Sequence, residues 1–278
     1  MSSVAKSVRL GGRLLECKSP LVMAIINATP DSFFAESRAM DEHSLRQAFA
    51  RAVEQGADII DLGACSTRPT VQNGADGLVD EQQEWIRLSG ALRIARQMDL
   101  SVPLSVDTFR PAVARQAIEC FGVEMINDVS GGSEQMFNLV AEHNVAYVLT
   151  YNRSNALVTT DNVLSDALAF FSRKVDQLHR RGVSDVIIDP GFGFGQTVDQ
   201  SLDLLANLSV LQHLDCPILV GISRKRMAYE PAGLTPETCL EQTLRLEQQA
   251  VSLGANILRV HDVTATCQMV NRKWLNSK

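Results

Sequence analysis

Short apolar runs alternate along this chain with longer stretches of helical periodicity, and the alternation recurs eight times. The apolar runs fall at 21–26, 59–62, 103–106, 123–126, 146–149, 185–188, 217–222 and 256–260. They are rich in Val, Ile and Leu and end at turn-forming residues, the pattern of strands buried on both faces. Between them, 41–55, 80–97, 111–120, 162–181, 199–211 and 235–253 place apolar residues three and four apart, which predicts amphipathic helices. Asp41 is placed to cap the first helix and Gly56 to end it, while Gly122, Gly182 and Gly254 stand where later helices stop. Strict strand–helix alternation implies a parallel sheet. Eight units with no linker or break in composition predict one domain over 1–278, a single (β/α)8 TIM barrel. Residues 1–19 differ: they turn at Gly11–Gly12 and read as a β-hairpin capping the bottom of the barrel.

Composition narrows the function classes. With 278 residues, 45% of them hydrophobic, the chain can bury a full core without covalent staples. A formal net charge of -6 gives no general affinity for nucleic acid or an anionic membrane, so any anion site must be a local cluster of cations. The six cysteines form no C-x-x-C pair and read as reduced thiols. The N-terminus has no apolar signal core, and no apolar run reaches membrane-spanning length, so a cytoplasmic location without membrane contact is expected.

In barrels of parallel strands the chemistry gathers where the strands end. Here those positions are Asn27 to Ser32; Asp61, then Ser66-Thr67-Arg68-Pro69; Asp107-Thr108; Asn127-Asp128; Thr150-Tyr151-Asn152; Asp189 to Gly195; Ser223 to Arg226; and Arg259, His261 and Asp262. A polar residue at one strand end is ordinarily a turn former or a helix cap, and Asp128 and Asp262 suit that role. Polar ends on all eight strands point to a functional mouth, because buried charges need partners. Asp107, Asn127, Asp189 and Lys225 suit a planar heterocycle with a donor edge and a carbonyl, such as an aminopyrimidinone. Arg68, Arg224, Arg226, Arg259 and His261, with Ser66, Thr67 and Ser223, suit a polyanion. Asn27 beside them is a hard oxygen donor for Mg2+, which binds through few protein ligands plus substrate phosphate. The G-x-G-x-G run 191–195 is neither a dinucleotide fingerprint nor a P-loop; it allows close backbone approach, with Phe192 or Phe194 as a wall beside a flat ligand. Ser223 lacks a nucleophile-elbow context and a base, so no covalent intermediate is expected. His43, His143, His179 and His213 read as helix residues with surface or packing roles.

Seven stretches in fixed order carry a resemblance: I-N-A-T-P-D-S-F at 26–33, A-D-I-I-D-L-G at 57–63 with S-T-R-P at 66–69, S-V-D-T at 105–108, I-N-D-V-S-G-G at 126–132, D-P-G-F-G-F-G at 189–195, V-G-I-S-R-K at 220–225 and G-A-N-I-L-R-V-H-D-V at 254–263. Together they resemble the dihydropteroate synthase family of pterin-binding barrels. That resemblance implies an enzyme, a transferase of folate biosynthesis. It condenses 6-hydroxymethyl-7,8-dihydropterin pyrophosphate with para-aminobenzoate and releases pyrophosphate. It implies that Asp107, Asn127, Asp189 and Lys225, with Phe194 and Gly221, hold the pterin. It places Asn27, with Mg2+, and Thr67, Arg68, Ser223, Arg259 and His261 on the pyrophosphate. It places Thr67, Pro69, Phe194 and Arg226 on the para-aminobenzoate side, gives Asp107, Lys225, Arg259 and His261 the catalytic roles, and implies a homodimer.

The chain departs from the family pattern at Cys65, Thr150, Tyr151, Asn152, Gln196 and Arg226, and by F-A-E-S-R-A-M at 34–40. The departures leave the pterin and pyrophosphate ends intact and alter the second-substrate end. Three other readings compete: a divergent pterin-binding paralogue without this activity or with another amine acceptor, a pterin-dependent methyltransferase, and an unrelated phosphosugar barrel. The S-T-R-P run and the Arg259/His261 pair argue against the methyltransferase, whose methyl donor has no pyrophosphate to hold.

Overall fold

The computed structural model describes residues 6–28, 35–64, 79–155 and 160–275, of which 35–41 and 271–275 are described by their backbone alone. An antiparallel hairpin, β1 (Ser7–Leu10) and β2 (Arg13–Glu16), precedes eight parallel strands. These are β3 (Leu21–Asn27), β4 (Ile59–Gly63), β5 (Leu104–Asp107), β6 (Met125–Asp128), β7 (Ala146–Thr150), β8 (Val186–Asp189), β9 (Leu219–Val220) and β10 (Ile257–Val260). Neighbours pair in chain order, and β10 returns to pair with β3, Ile257 opposite Leu21. A parallel bridge between Ile188 and Ile218 joins β8 to the start of β9 and closes the ring. The helices are α1 (Ala35–Glu54), α2 (Glu81–Gln97), α3 (Pro111–Phe121), α4 (Glu134–His143), α5 (Val163–Arg180), α6 (Val198–Ala206), α7 (Arg226–Tyr229), α8 (Leu240–Ser252) and α9 (Val263–Leu275).

The two-residue side-chain period of a strand sorts the apolar residues into two cores. Outward residues such as Ile60, Leu62, Val106, Ile126, Leu149 and Ile188 pack with helix residues that include Phe49, Leu88, Val113, Phe137, Phe171 and Leu204. Inward residues Met23, Ile59, Met125, Val148, Ile187, Leu219 and Ile257 form a second cluster near the strand starts. Val8 and Leu10 of the hairpin belong to that inner cluster, so the hairpin plugs the bottom as the sequence predicts. Gly11 and Gly12 make its turn at φ +55° and +82°, the left-handed conformation a two-residue hairpin needs. Everything above the inner cluster is thereby left to the mouth.

Some boundaries differ from the expectation. Helix α1 begins at Ala35, so Asp41 lies inside it and is not its cap; the A-E-S-R-A-M run is built largely of good helix formers and carries the helix backwards. The expected helix 199–211 divides into α6 and a 3-10 turn, Leu208–Leu214, where Asn207 turns its side chain back onto the Asp203 carbonyl. Helix α8 starts at Leu240 because Thr235 and Thr238 bond each other in a local turn. The last apolar run before the closing strand, expected over 217–222, is a strand only at Leu219–Val220. Among the described residues no helix is long and apolar enough to cross a membrane. Cys17, Cys120, Cys216, Cys239 and Cys267 form no disulfide.

Candidate active site

The alternation that sends Ile59, Met125, Ile187 and Ile257 into the lower core sends Asp61, Asn127, Asp189 and Arg259 inward one repeat higher. A polar layer therefore sits directly on an apolar one. Its centre is the Arg259 guanidinium, whose Nε donates to Asp61 Oδ2 at 2.6 Å and whose Nη2 donates to Asp107 Oδ2 at 2.7 Å. The same Asp61 oxygen accepts from Asn127 Nδ2 at 2.9 Å. That bond fixes the Asn127 amide with its oxygen pointing away from Asp61. Asn127 Oδ1 is buried and has no partner among the described residues, an acceptor waiting for a donor. Across the mouth, Asp189 Oδ1 accepts the Gly191 amide at 2.8 Å, and Lys225 lies close enough to act on the Asp189 charge. The Lys225 ammonium stands 5.0 Å over the Phe194 ring. Gly221 keeps the space beside them open: a Cβ there would stand 3.7 Å from Lys225 Nζ and 3.9 Å from Arg259 Cβ.

Burial sets the proton affinities. It pushes the Asp107 carboxyl up to about 7; Arg259 pulls the other way, and Asp61, Glu84 and Asp128 add to the rise. It raises Asp189 as well, against Lys225, the Gly191 amide and Arg259. It pulls the Lys225 ammonium down to about 8, with Asp189 opposing. Three carboxylates and two cations thus hold one another in a low-dielectric ring, and perturbed groups converging in a cleft mark a functional site.

At the rim, Ser223 Oγ, expected to lack a base, in fact lies 3.0 Å from His261 Nδ1, because β10 closes beside β9, and accepts the His261 backbone amide at 3.2 Å. His261 is exposed, as is Asn27 at the end of β3. A Cβ on Gly63 would come within 3.4 Å of Asn27 Oδ1, so the glycine keeps clear the space this oxygen faces. Two residues grouped with the anion-binding cations are already paired. Arg224 donates to Asp262 at 2.8 and 3.3 Å, and Arg226 grips Glu230 one helical turn on, at 2.7 and 3.1 Å. Each guanidinium already has a carboxylate, and the Arg226 pair is exposed. Asp128 takes the structural role expected of it, accepting from the Tyr147 hydroxyl and from Ser130. Thr67, Arg68 and Pro69, with Cys65 and Ser66, lie outside the described residues, as do Thr29 to Ser32.

The glycine-rich loop is shaped mainly by its own neighbours. A Cβ on Gly191 would stand 2.1 Å from the Tyr151 carbonyl oxygen, and one on Gly195 2.4 Å from the Ser154 amide nitrogen. Phe192 is fully buried in the outer core, so Phe194 is the only one of the two at the mouth. Gln196, one of the departures, is buried and staples this loop: its amide donates to the carbonyls of Pro190 and Gly191 at 2.9 and 3.1 Å and accepts from Ser201 Oγ at 3.1 Å. Gln196→Ala takes this donor from the Pro190 carbonyl, while Gly191 keeps the Phe194 amide and Ser201 the Thr197 carbonyl, and lowers stability by about 1–3 kcal/mol; chemical denaturation checks this, and an unchanged midpoint would remove the staple. Of the departures after β7, Tyr151 turns outward against Phe170 and Phe171, and Asn152 donates to the Val129 carbonyl at 2.9 Å. Only Thr150 reaches the mouth, in register with Asp189. His43, His143 and His179 lie in helices and His213 in the 3-10 turn, away from the site.

The sequence places Asp61 at the mouth but gives it no role. Its signal was present: Asp61 and Ile59 share a face of β4, so a mid-strand carboxylate had to enter the barrel.

A barrel with this mouth defines a pterin-binding enzyme, and residues 23–261 match the family described as "Pterin binding enzyme". Within it, the chain belongs to the dihydropteroate synthase family of transferases. It is 36% identical over 281 residues to the dihydropteroate synthase of Synechocystis sp., covering 92% of this chain and 91% of that one. Dihydropteroate synthase from Xanthomonas albilineans with 4-aminobenzoic acid superposes with a TM-score of 0.86 at 32% identity, covering 99% of each chain. The Thermus thermophilus dihydropteroate synthase in complex with 6HMPPP gives 0.82 at 32% identity, covering 97% of this chain and 99% of that one.

Proposed function

We infer that this barrel condenses 6-hydroxymethyl-7,8-dihydropterin pyrophosphate with para-aminobenzoate, giving 7,8-dihydropteroate and pyrophosphate. The observation that carries the reading is the buried ring of Asp61, Arg259, Asp107 and Asn127, facing Asp189 and Lys225, with the Asn127 acceptor unpartnered. A pterin edge rich in N–H donors matches the Asn127 oxygen and the Asp189 carboxylate, and the Lys225 ammonium donates to a ring carbonyl or nitrogen. Asp107 in its charged form stabilises positive charge that develops on the methylene carbon as its bond to pyrophosphate breaks. The amine nitrogen of para-aminobenzoate then forms the new C–N bond and releases a proton. Arg259, Ser223 and His261 hold the pyrophosphate as it departs, and no enzyme nucleophile is needed. By the family likeness Thr67, Arg68 and Pro69 serve the leaving-group and para-aminobenzoate sides, and Arg226, paired with Glu230 through Nε and Nη2, keeps Nη1 for a carboxylate there.

Mg2+ fits the donor set. Asn27 supplies one hard oxygen, and no group of three or more His, Cys, Asp or Glu among the described residues could cage the ion. The ion would be held chiefly by phosphate oxygens, and when bound it neutralises charge on the leaving pyrophosphate. The family likeness extends the proposal to a homodimer, and the free thiols fit a cytoplasmic protein.

The test is turnover by the purified protein with Mg2+, the pterin pyrophosphate and para-aminobenzoate, following pyrophosphate release. Release that requires both substrates is the expected result. Tight binding of the pterin pyrophosphate without turnover would replace the synthase by a pterin-binding paralogue, with Thr150, Gln196 and Arg226 as the first positions to revert.

A further inference from the structure

We propose that Asp61, which has no place in the substrate contacts above, is a positioning residue that aims both halves of the site at the pterin pyrophosphate, Asn127 at the pterin and Arg259 at the phosphates. This rests on the function proposed above. The Asp61 side chain is fully buried, and a single oxygen, Oδ2, receives both Arg259 Nε at 2.6 Å and Asn127 Nδ2 at 2.9 Å. Its other oxygen is buried without a partner among the described residues. Arginine–carboxylate pairs frequently use both oxygens on the one cation. Asp61 instead splits one oxygen between two different functional groups.

Each of those bonds sets an orientation, that of Asn127 by itself and that of Arg259 together with Asp107. An Asn amide can rotate to present either its oxygen or its NH2, and the two ends differ in hydrogen-bonding sign. A carboxylate oxygen accepts only, so the Asn127 NH2 must face Asp61 and its oxygen must face the ligand. Without Asp61 the amide can turn and offer a donor to the donor edge of a pterin. The Arg259 guanidinium is likewise held at two points, Nε on Asp61 and Nη2 on Asp107. If a bound pterin takes up Asp107, Nη2 is released toward the phosphates while Nε keeps its anchor. Asp61 is thus the hinge point of the arginine.

The test separates the two halves of the substrate. Affinities are measured for 6-hydroxymethylpterin, which carries no phosphate, and for inorganic pyrophosphate with Mg2+. The proteins are wild type, Asp61→Asn, Asn127→Ala, Arg259→Ala and the two double variants that combine Asp61→Asn with each partner. Asp61→Asn preserves shape, and it is expected to weaken both ligands by about tenfold, the loss typical of one charge-assisted hydrogen bond. Asp61→Asn added to Asn127→Ala is expected to cost no further pterin affinity, and added to Arg259→Ala no further pyrophosphate affinity, because Asp61 acts through those residues. Wild-type affinities in Asp61→Asn, or losses that multiply in both double variants, would overturn the proposal. A wild-type protein that binds neither ligand would remove the proposed function and this inference with it. Should Asp61→Asn not fold, Arg259→Lys probes the same contact from the other side. It keeps the charge without the two-point anchor, and pyrophosphate affinity equal to wild type would again overturn the proposal.

Discussion

Asp189→Asn lowers the affinity for the pterin pyrophosphate by about a hundredfold or more, because it removes an acceptor and strands a buried cation at once. One Asp189 oxygen is committed to the Gly191 amide, which leaves the other for the ligand. An asparagine there has two choices. It keeps its oxygen on Gly191 and turns an NH2 toward a donor edge of the pterin, or it turns the NH2 onto the Gly191 amide. Both choices face a donor with a donor. Lys225 meanwhile loses the carboxylate that supports its charge against burial, so its pKa falls below the present value of about 8. Isothermal titration with the pterin pyrophosphate measures the loss, and the ammonium effect appears separately as a binding curve whose alkaline limb moves to lower pH. Unchanged affinity would take Asp189 out of the pterin site. Loss of affinity with an unmoved alkaline limb would keep the hydrogen bond and discard the coupling to Lys225.

Asp107, Asn127 and Asp189 were legible in the chain because each ends an apolar run, and a parallel barrel turns strand ends into a mouth. The hairpin was legible for an equally local reason, two glycines between short alternating runs. What sequence reading missed depends on contacts between distant segments. Asp61 and Arg259 are 198 positions apart, and only ring closure by β10 against β3 brings them together. Once they meet, Arg259 is anchored by two buried carboxylates, Asp61 and Asp107, a setting that residue type alone does not carry. Gln196 shows the converse. As a departure from the family pattern it reads as a lost contact, whereas in the fold its amide holds the loop 190–196. Arg224 and Arg226 read as phosphate cations because S-R-K-R is a dense basic run, yet carboxylates within the same rim, Asp262 and Glu230, take both. The early start of α1 is the plainest case of local propensity overriding a punctuation signal, since Asp41 can cap a helix and can equally sit inside one.

Arg259→Ala is expected to destabilise the protein by about 3–5 kcal/mol above pH 8, since it leaves Asp61 and Asp107 as unpaired buried charges, and the deficit should shrink in acid. The sign follows from Asp107. Its folded value, about 7, already lies above the unfolded value near 3.8 even with Arg259 pulling it down. A carboxyl raised in the folded state makes the native protein bind more protons than the unfolded chain, so stability falls as pH rises between the two values. Without the guanidinium the folded value rises further and the penalty keeps growing beyond pH 7. In acid both proteins carry Asp107 protonated, so the deficit narrows by roughly 1–2 kcal/mol by pH 5.5 and retains the share due to Asp61 and the lost hydrogen bonds. Urea denaturation of both proteins at pH 5.5 and 8.5 reads the two deficits directly. Equal deficits would mean that Arg259 serves the fold by packing, with Asp107 never depending on its charge. A deficit that widens with pH would show that the cation proposed to bind pyrophosphate also stabilises the empty barrel. Releasing Arg259 from Asp107 then has to be offset by the pyrophosphate, which ties the two halves of the substrate together energetically before any bond is broken.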